Sequence, residues 1–295
     1  MGDLAAVTAR IESLYPRLSP RLRQAARYVL DRPDDVALIS MRRVAARAGV
    51  HPATMVRLAQ ALAFSGYAAL REPFRQHLRH DRGYAERARG LVSREAPSDA
   101  LLRDIVVLDT ANLGRTFDDL DGARFSAVIT ALSTARRLFV VGLRKCYPLA
   151  YYFHYAYDMF RDNAVLAGGP GGLLTDRLRG IDDGDALLVI GFSRYTRDSV
   201  RAAEHAAARG ARIVAITDSR LSPLAAVADH VLVAAKASPS FFGSLVGALA
   251  LVQAIVAGLV ARAGRDALGR LAESEAHLDT FDTYWEVAPG ATEET

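Results

Sequence analysis

Basic and hydroxyl side chains collect directly after the apolar runs in the second half of the sequence. Hydroxyls and backbone N–H groups at helix N-termini, together with Arg and Lys, are the groups that bind phosphate and other anions. The pattern predicts a site for a small anionic molecule, although Ser and Thr at such positions can also simply cap helices. The candidate ligand-binding residues are Arg144, Lys145, Cys146, Ser193, Arg194, Thr196, Thr217 and Ser244.

Catalytic chemistry has little support in the sequence. The seven His residues show no metal-ligand spacing, and the GxSxG, GxxxxGK[ST] and GxGxxG motifs do not occur. Cys146 could be a nucleophile or a small apolar filler, and the carboxylates nearest to the predicted strand ends are Asp198 and Asp218. We expect no catalytic residues, no metal and no cofactor, and therefore a binding protein rather than an enzyme.

A second group of residues, at 41–60, has the spacing of a helix-turn-helix. Gly49 stands at the ninth place, where the turn needs a left-handed backbone, and Ala45 stands where the two helices approach most closely. Pro52 suits the first position of the second helix. The apolar places between the helices are filled by Val44, Ala48, Val50, Met55 and Leu58.

The polar side chains of this segment predict contact with DNA. Arg and Gln can make paired hydrogen bonds to guanine and adenine in the major groove, and Thr can hold a phosphate or touch a thymine methyl. For Arg57, a base contact and a phosphate contact are equally open. The candidate DNA-binding residues are Ser40, Arg42, His51, Thr54, Arg57 and Gln60.

Helical periodicity dominates the first 135 residues. A helix pair broken near 16–20 is followed by a short turn at 36–39, and a charged stretch at 81–91 has the character of a linker helix and hinge. The remaining predicted helices are 41–48, 52–63, 67–78, 101–117 and 125–135.

From residue 137 the periodicity changes to short runs rich in Val and Ile that alternate with helical stretches. Uniformly apolar strands alternating with helices predict a doubly wound α/β domain with a five-stranded parallel sheet, following an all-α helix-turn-helix domain. The predicted strands are 137–142, 163–167, 186–191, 212–217 and 230–235, and the predicted helices are 147–160, 172–179, 196–208, 223–228 and 241–262.

Charge is distributed unevenly along the 295 residues. Residues 1–90 carry 16 Arg and no Lys against 8 acidic residues, whereas the rest of the chain has a slight acidic excess. A basic N-terminal part suits a protein that places one end on a phosphate backbone. The single cysteine excludes an intrachain disulfide, and the N-terminal residues lack the pattern of a signal peptide, so we expect a cytoplasmic protein.

The uncharged stretch 237–261 is long enough to cross a bilayer. It contains three Ser, one Gln, one Pro and three Gly, and it lacks an aromatic belt and basic residues on one flank. We therefore expect a helix buried beside the sheet and no membrane partner.

The chain resembles the MurR/RpiR family of bacterial transcriptional regulators over almost its whole length. Residues 18–74 are similar to the family's helix-turn-helix, and residues 137–262 are similar to its sugar-isomerase (SIS) domain, with ITDSRLSPLAAVADHVL as a characteristic stretch. The resemblance implies a homodimer or tetramer whose SIS-like domain senses a phosphosugar or related metabolite. The expected domains are 1–80 (DNA binding), 81–124 (helical linker), 125–270 (ligand sensing and dimerisation) and 271–295 (C-terminal tail).

The sequence departs from the SIS pattern at both ligand loops. The first loop is usually G-x-G-x-S, and here Arg144 replaces the second Gly and Cys146 the Ser. The second is usually S-x-S-G-x-T, and here Ser193 and Thr196 remain while Arg194 replaces Gly. Either the guanidinium groups bind an anion in place of backbone N–H groups, or they fill the pocket. His51 stands where the family usually has Ser as the cap of the recognition helix.

Together these features predict a transcriptional regulator of carbohydrate or related metabolism that binds double-stranded DNA. A dimer of helix-turn-helix units predicts an inverted-repeat operator with half-sites separated by whole helical turns. Two alternatives stay open at this point: a sugar-phosphate isomerase or binding enzyme with an accessory N-terminal domain, and a SIS-like dimerisation scaffold without a ligand.

Overall fold

The computed structural model describes residues 4–80, 84–94, 97–118, 120–169, 171, 173–220 and 222–285. Two compact units are present. The first contains the described residues up to Gly114 with the segments Ser219–Ala226 and Ala235–Val246, and the second contains Arg115–Asp218, Val227–Ala234 and the described residues from Gly247 onward.

The first unit is helical. Proline occupies one of the first two positions of three of its helices, α2, α3 and α5, where the missing N–H group costs nothing. The helices are α1 Leu4–Leu14, α2 Pro20–Asp31, α3 Pro33–Leu38, α4 Met41–Arg47, α5 Pro52–Ala61, α6 Tyr67–His80, α7 Tyr84–Val92 and α8 Ser98–Asp118, the last turn of α8 belonging to the second unit.

The core of the first unit forms where α1 to α6 meet. Apolar side chains from all six helices are buried together, including Ile11, Val29, Val36, Leu58 and Phe74. The predicted turn at 36–39 is part of the short helix α3, because its backbone continues from Pro33 to Leu38 with helical hydrogen bonds. The predicted break in the first helix pair is confirmed, with a short 3₁₀ helix at Tyr15–Arg17.

The second unit is built on five parallel strands in the order β2-β1-β3-β4-β5. Every residue of β1 and β3 is buried, which requires both faces of the sheet to be covered. The predicted fold class is confirmed. The strands are β1 Leu138–Gly142, β2 Ala164–Leu166, β3 Ala186–Ile190, β4 Arg212–Thr217 and β5 His230–Val233.

Helices cover this sheet. α10 contacts β1 and β2, α9 contacts β3, β4 and β5, and α12 contacts β1, β3 and β4. α13 approaches α9 closely at Gly258, where a methyl group would lie 2.7 Å from the Ile129 side chain and 3.2 Å from Phe125. The helices are α9 Gly122–Ser133, α10 Tyr147–Asp158, α11 Leu174–Arg177, α12 Arg197–Ala208, α13 Val246–Ala263 and α14 Arg265–Thr280.

Several predicted helix limits were wrong. The predicted helix 223–228 is a turn, held by the Ser222 hydroxyl, which accepts from the Ala225 N–H at 3.0 Å. The predicted helix 172–179 is reduced to α11, with glycines of positive φ at 171 and 180 on either side. The last predicted helix begins at Val246 rather than 241, and a further helix, α14, spans Arg265–Thr280.

The long apolar stretch forms α13. By length and composition alone this helix could cross a membrane, but the core helix of a soluble protein has the same properties. Its buried positions recur with helical spacing, at Gly247, Ala248, Leu251, Val252, Ile255 and Leu259. This periodicity is that of a helix with one face packed on its own domain.

Candidate nucleic-acid interface and effector site

The helix-turn-helix turn has the geometry that the sequence predicts. Gly49 has φ of 65°, and the Val50 N–H donates to the Ala45 carbonyl at 2.9 Å. The side chain of Gln24 on α2 donates to the Ala48 carbonyl at 3.0 Å and thereby fixes the turn from outside. Ala45 is fully buried, as expected for the point of closest approach.

Both helices of the motif carry side-chain caps. The Ser40 hydroxyl accepts from the Arg43 N–H at 3.4 Å at the start of α4. At the start of α5, His51 Nδ1 accepts from the Ala53 N–H at 3.2 Å. His51 therefore caps the recognition helix, and its Nδ1 must be unprotonated to do so.

The candidate DNA-binding residues share one property, which is access to solvent. Ser40, Arg42, His51, Arg57 and Gln60 are exposed, and Thr54 is half-buried. Met55, Leu58 and Ala59 on the same helix are buried. α5 thus buries one side in the domain core and presents its polar side to a partner.

A charged cluster, which the sequence analysis did not predict, links the first helix of the helix-turn-helix to its neighbours. Arg47 Nη1 donates to both Asp35 oxygens at 2.8 Å, and the Tyr28 hydroxyl donates to Asp35 Oδ2. The hydrogen bond from Tyr28 and then that from Arg47 lower the pKa of Asp35. The carboxylate thus joins α2, α3 and α4.

In the second unit, the sheet order places a crevice between the ends of β1 and β3. The chain leaves β1 toward β2 on one side, while β3 lies on its other side. In open parallel sheets, ligands bind at the carboxyl ends of the strands, at the point where the strand order reverses. The loops that follow β1 and β3 are therefore the natural walls of a ligand site.

The loop after β1 turns back tightly onto its strand. A methyl group on Gly142 would lie 2.6 Å from the Cys146 carbonyl oxygen and 2.8 Å from the Ala150 Cβ, so only Gly fits. Arg144 is exposed with φ of 54°, and Lys145 is half-buried with its Nζ 5.9 Å from the centre of the Phe192 ring. This contact brings the loop after β1 against the loop that follows β3.

Cys146 lies inside this turn. Its side chain is buried, and burial raises the pKa of the thiol to about 11. A protonated, buried thiol is a poor nucleophile. It is more suited to packing the loop than to reacting with a ligand.

The loop after β3 is tied to the end of β4 by one carboxylate. Asp218 accepts from the Ser193 N–H at 3.2 and 3.3 Å to its two oxygens, and from the Tyr195 hydroxyl at 2.5 Å. Thr217 is fully buried, with its hydroxyl 3.5 Å from Asp218 Oδ1. Thr196 stands at the N-cap of α12 but makes no side-chain cap hydrogen bond.

Most of the candidate ligand residues thus surround the ends of β1, β3 and β4. Ser244 belongs to the first unit, where its hydroxyl accepts from the Val246 N–H at 3.2 Å, so we leave it out of this site. Asp218 and Tyr195 were not among the candidate ligand residues, although Asp218 lies in the ITDSRLSPLAAVADHVL stretch, because their hydrogen bond joins residues 23 positions apart. Among the described residues, no group of His, Cys, Asp and Glu could hold a metal ion.

A glycine-rich loop after β2 was also missed. Gly168 and Gly169 have φ of 111° and 104°. A methyl group on Gly169 would lie 2.8 Å from the Tyr147 ring, and one on Gly168 would lie 2.7 Å from the Leu143 side chain. The loop therefore packs its bare backbone against the loop after β1, and the GG pair at 168–169 was the available signal.

Known proteins match both parts of the chain. The family described as "Helix-turn-helix domain, rpiR family" matches residues 5–80, and the SIS domain family matches residues 131–258. The sugar isomerase domain of an RpiR transcription factor from Sphaerobacter thermophilus is 31% identical, with a TM-score of 0.55, and the match covers 60% of this chain and 98% of that one. This chain belongs to the RpiR family.

Other similarities extend over more of the chain. An uncharacterized HTH-type transcriptional regulator of Haemophilus influenzae is 26% identical over 84% of this chain and 86% of its own length. HexR of Pseudomonas aeruginosa, also named as an HTH-type transcriptional regulator, is 25% identical over 73% and 74%. The Vibrio vulnificus NanR protein, solved in complex with ManNAc-6P, shares the fold at 21% identity, covering 93% of this chain and 98% of NanR with a TM-score of 0.58.

Proposed function

We propose that this RpiR-family regulator binds an inverted-repeat operator through α4 and α5 and that a small anionic metabolite, such as a phosphosugar, modulates this binding. The observation that carries the DNA-binding part is the helix-turn-helix itself. Its turn is fixed at Gly49, its caps are at Ser40 and His51, and its polar side is exposed.

The proposed DNA contacts come from six side chains around the recognition helix. Arg57 and Gln60 reach base edges in the major groove, where each paired contact contributes about 1–3 kcal/mol of discrimination. The others contact phosphates or the bases nearest to the helix start. These six residues are Ser40, Arg42, His51, Thr54, Arg57 and Gln60.

The decisive experiment compares specific and nonspecific DNA binding of two arginine variants. Fluorescence anisotropy on the fragment upstream of the protein's own gene is compared with random DNA at moderate salt. We expect Arg57→Ala to weaken specific binding about 10- to 100-fold and nonspecific binding much less. Arg27→Ala is the matched control, since Arg27 lies on α2 in an exposed pair with Asp31. Equal binding of both DNAs by the unaltered protein contradicts the regulator function.

The proposed effector site lies at the carboxyl ends of β1, β3 and β4. Arg144, Lys145 and Arg194 supply positive charge around it, and Ser193 and Thr196 supply hydrogen-bond donors. NanR, which shares the fold, was solved with a phosphosugar. A phosphosugar added to the protein–operator complex should change the operator affinity by about 5- to 150-fold, the usual range of allosteric coupling.

We propose no enzymatic activity for this site. The thiol of Cys146 is buried with a raised pKa, and the Asp218 carboxylate accepts hydrogen bonds from its own chain rather than standing ready as a base. Interconversion of a phosphosugar isomer pair by the purified protein, followed by NMR, would reverse this assignment.

The proposed assembly is a cytoplasmic homodimer or tetramer. α8 supports it, because Leu102, Val106, Val107 and Leu113 expose 36% to 67% of their surface on one helix. Exposed apolar side chains grouped in this way mark protein interfaces. Light scattering on the full chain tests the oligomeric state.

We propose the domain division that the sequence predicts: residues 1–80 for DNA binding, 81–124 as a helical linker, 125–270 for ligand sensing and dimerisation, and 271–295 as a C-terminal tail.

A further inference from the structure

The Asp218 carboxylate accepts from a backbone N–H group just beyond the carboxyl end of β3. The N–H of Ser193 follows the carboxyl end of β3, and such backbone groups are typical anion donors in parallel α/β domains. Here it donates to both oxygens of Asp218, at 3.2 and 3.3 Å. The Ser193 N–H is therefore already engaged by the protein's own carboxylate.

Tyr195 strengthens this arrangement. Its hydroxyl donates to Asp218 Oδ1 at 2.5 Å, a short distance of the kind found when the acceptor is charged. Ser193, Tyr195 and Asp218 are all half-buried, so water screens the carboxylate only partly. The loop after β3 thus directs two hydrogen-bond donors, the Ser193 N–H and the Tyr195 hydroxyl, at the negative charge of Asp218.

A positive charge lies close to the same loop. Lys145 is close to Phe192, the residue directly before Ser193. Both charges affect the pKa of the Cys146 thiol. Burial is the largest cause and raises this pKa, the charge of Lys145 lowers it, and the charge of Asp218 raises it. Lys145 and Asp218 therefore act on one small region, with opposite signs.

We propose that Asp218 is a specificity-determining residue, which excludes an anionic group from the Ser193 amide and directs the effector's anion to Lys145 on the loop after β1. The uncharged, hydroxylated part of the effector then faces Ser193–Thr196 and donates hydrogen bonds to Asp218. This inference rests on the proposed effector site. It assigns the effector a defined polarity, as a molecule with its anion at one end and hydroxyl donors at the other.

The test uses inorganic phosphate as the probe, measured by isothermal titration calorimetry on the full chain. Asp218→Asn keeps the shape and one acceptor oxygen but removes the charge, so we expect phosphate to bind about tenfold more tightly than to the unaltered protein. Tyr195→Phe is the matched control: it removes the Tyr195 hydrogen bond to Asp218 and keeps the charge, so we expect no gain in affinity.

Two results would overturn the proposal. One is phosphate affinity in Asp218→Asn that equals or falls below that of the unaltered protein, and the other is an equal gain in Tyr195→Phe. If Asp218→Asn does not fold, the Lys145→Gln variant provides the test. We expect glucose 6-phosphate to bind to Lys145→Gln at least about tenfold more weakly than to the unaltered protein. An unchanged affinity contradicts the proposal.

The outcome is separable from that of the proposed function. A change in operator affinity on addition of a phosphosugar to the unaltered protein tests the function alone. If the operator complex responds but Asp218→Asn gains no phosphate affinity, only the role of Asp218 fails. If the complex is unresponsive and Asp218→Asn gains phosphate affinity, the role of Asp218 stands and the phosphosugar effector fails.

Discussion

Arg47 donates one nitrogen to both oxygens of Asp35, each at 2.8 Å, and this pair fastens the end of α4 to α3. Asp35 is the less exposed partner, at 22% against 58% for Arg47. The helix that leads into the DNA-binding turn is thus held by a charge–charge contact as well as by its apolar face.

This contact predicts acid sensitivity of the first unit. Because the folded-state pKa of Asp35 is lowered, its contribution is present above the ordinary carboxyl pKa and is lost as pH falls through the folded value. We expect Asp35→Asn to reduce the free energy of unfolding by about 2 kcal/mol at pH 7 and to flatten its dependence on pH below 4. Chemical denaturation at a series of pH values measures both effects. Asp31→Asn, which removes an exposed pair with Arg27, should change stability by less than about 0.5 kcal/mol.

Gly49 should not accept a side chain. Its φ of 65° costs a non-glycine residue about 1–2 kcal/mol, and a methyl group would lie 3.0 Å from the Gln24 side chain nitrogen. We expect Gly49→Ala to lower stability by at least this amount and to weaken operator binding. Gly66→Ala is the control, since a methyl group there has no neighbour within 4 Å. Equal thermal midpoints for the two variants would contradict the assigned turn geometry.

The cap at His51 gives a third prediction. Removal of the acceptor in His51→Ala should cost about 1 kcal/mol of stability, whereas His51→Ser should restore it, because Ser is a preferred cap. Thermal unfolding separates the two variants. If His51→Ser restores stability but not operator affinity, the imidazole also contacts DNA, which is the proposed second role of this residue.

Cys146 should resist alkylation in the folded protein. With its pKa raised to about 11, the thiol stays protonated at pH 8, and only the thiolate reacts. We expect iodoacetamide to modify it slowly at pH 8 and rapidly in denaturant, with mass spectrometry as the measurement. Because the pKa is higher in the folded than in the unfolded state, the free energy of unfolding falls as pH rises from the ordinary thiol value through about 11. Rapid modification of the native protein at pH 8 would show that the thiol is accessible.

Local patterns in the sequence predicted most of the fold. The five strands are apolar runs whose positions need only short-range information, and the turn at Gly49 follows from one residue with a special backbone. Contacts between distant residues could not be predicted in this way. Asp35 with Arg47 and Asp218 with Ser193 join positions 12 and 25 residues apart, and nothing in the intervening sequence marks them as partners.

The helix limits that were predicted wrongly have local causes, which are side-chain hydrogen bonds and glycines. The stretch 223–228 has helical composition, but the Ser222 hydroxyl takes the Ala225 N–H and stabilises a turn instead. The helix 172–179 loses residues to glycines at both ends, where backbone freedom outweighs the apolar periodicity. Composition alone does not distinguish these outcomes.

Gly258 sets the spacing between α13 and α9. The Ile129 and Phe125 side chains lie 2.7 and 3.2 Å from the position that a methyl group at 258 would take, so any side chain there would push the two helices apart. The separation of these two helices in the second unit therefore depends on the absence of one side chain.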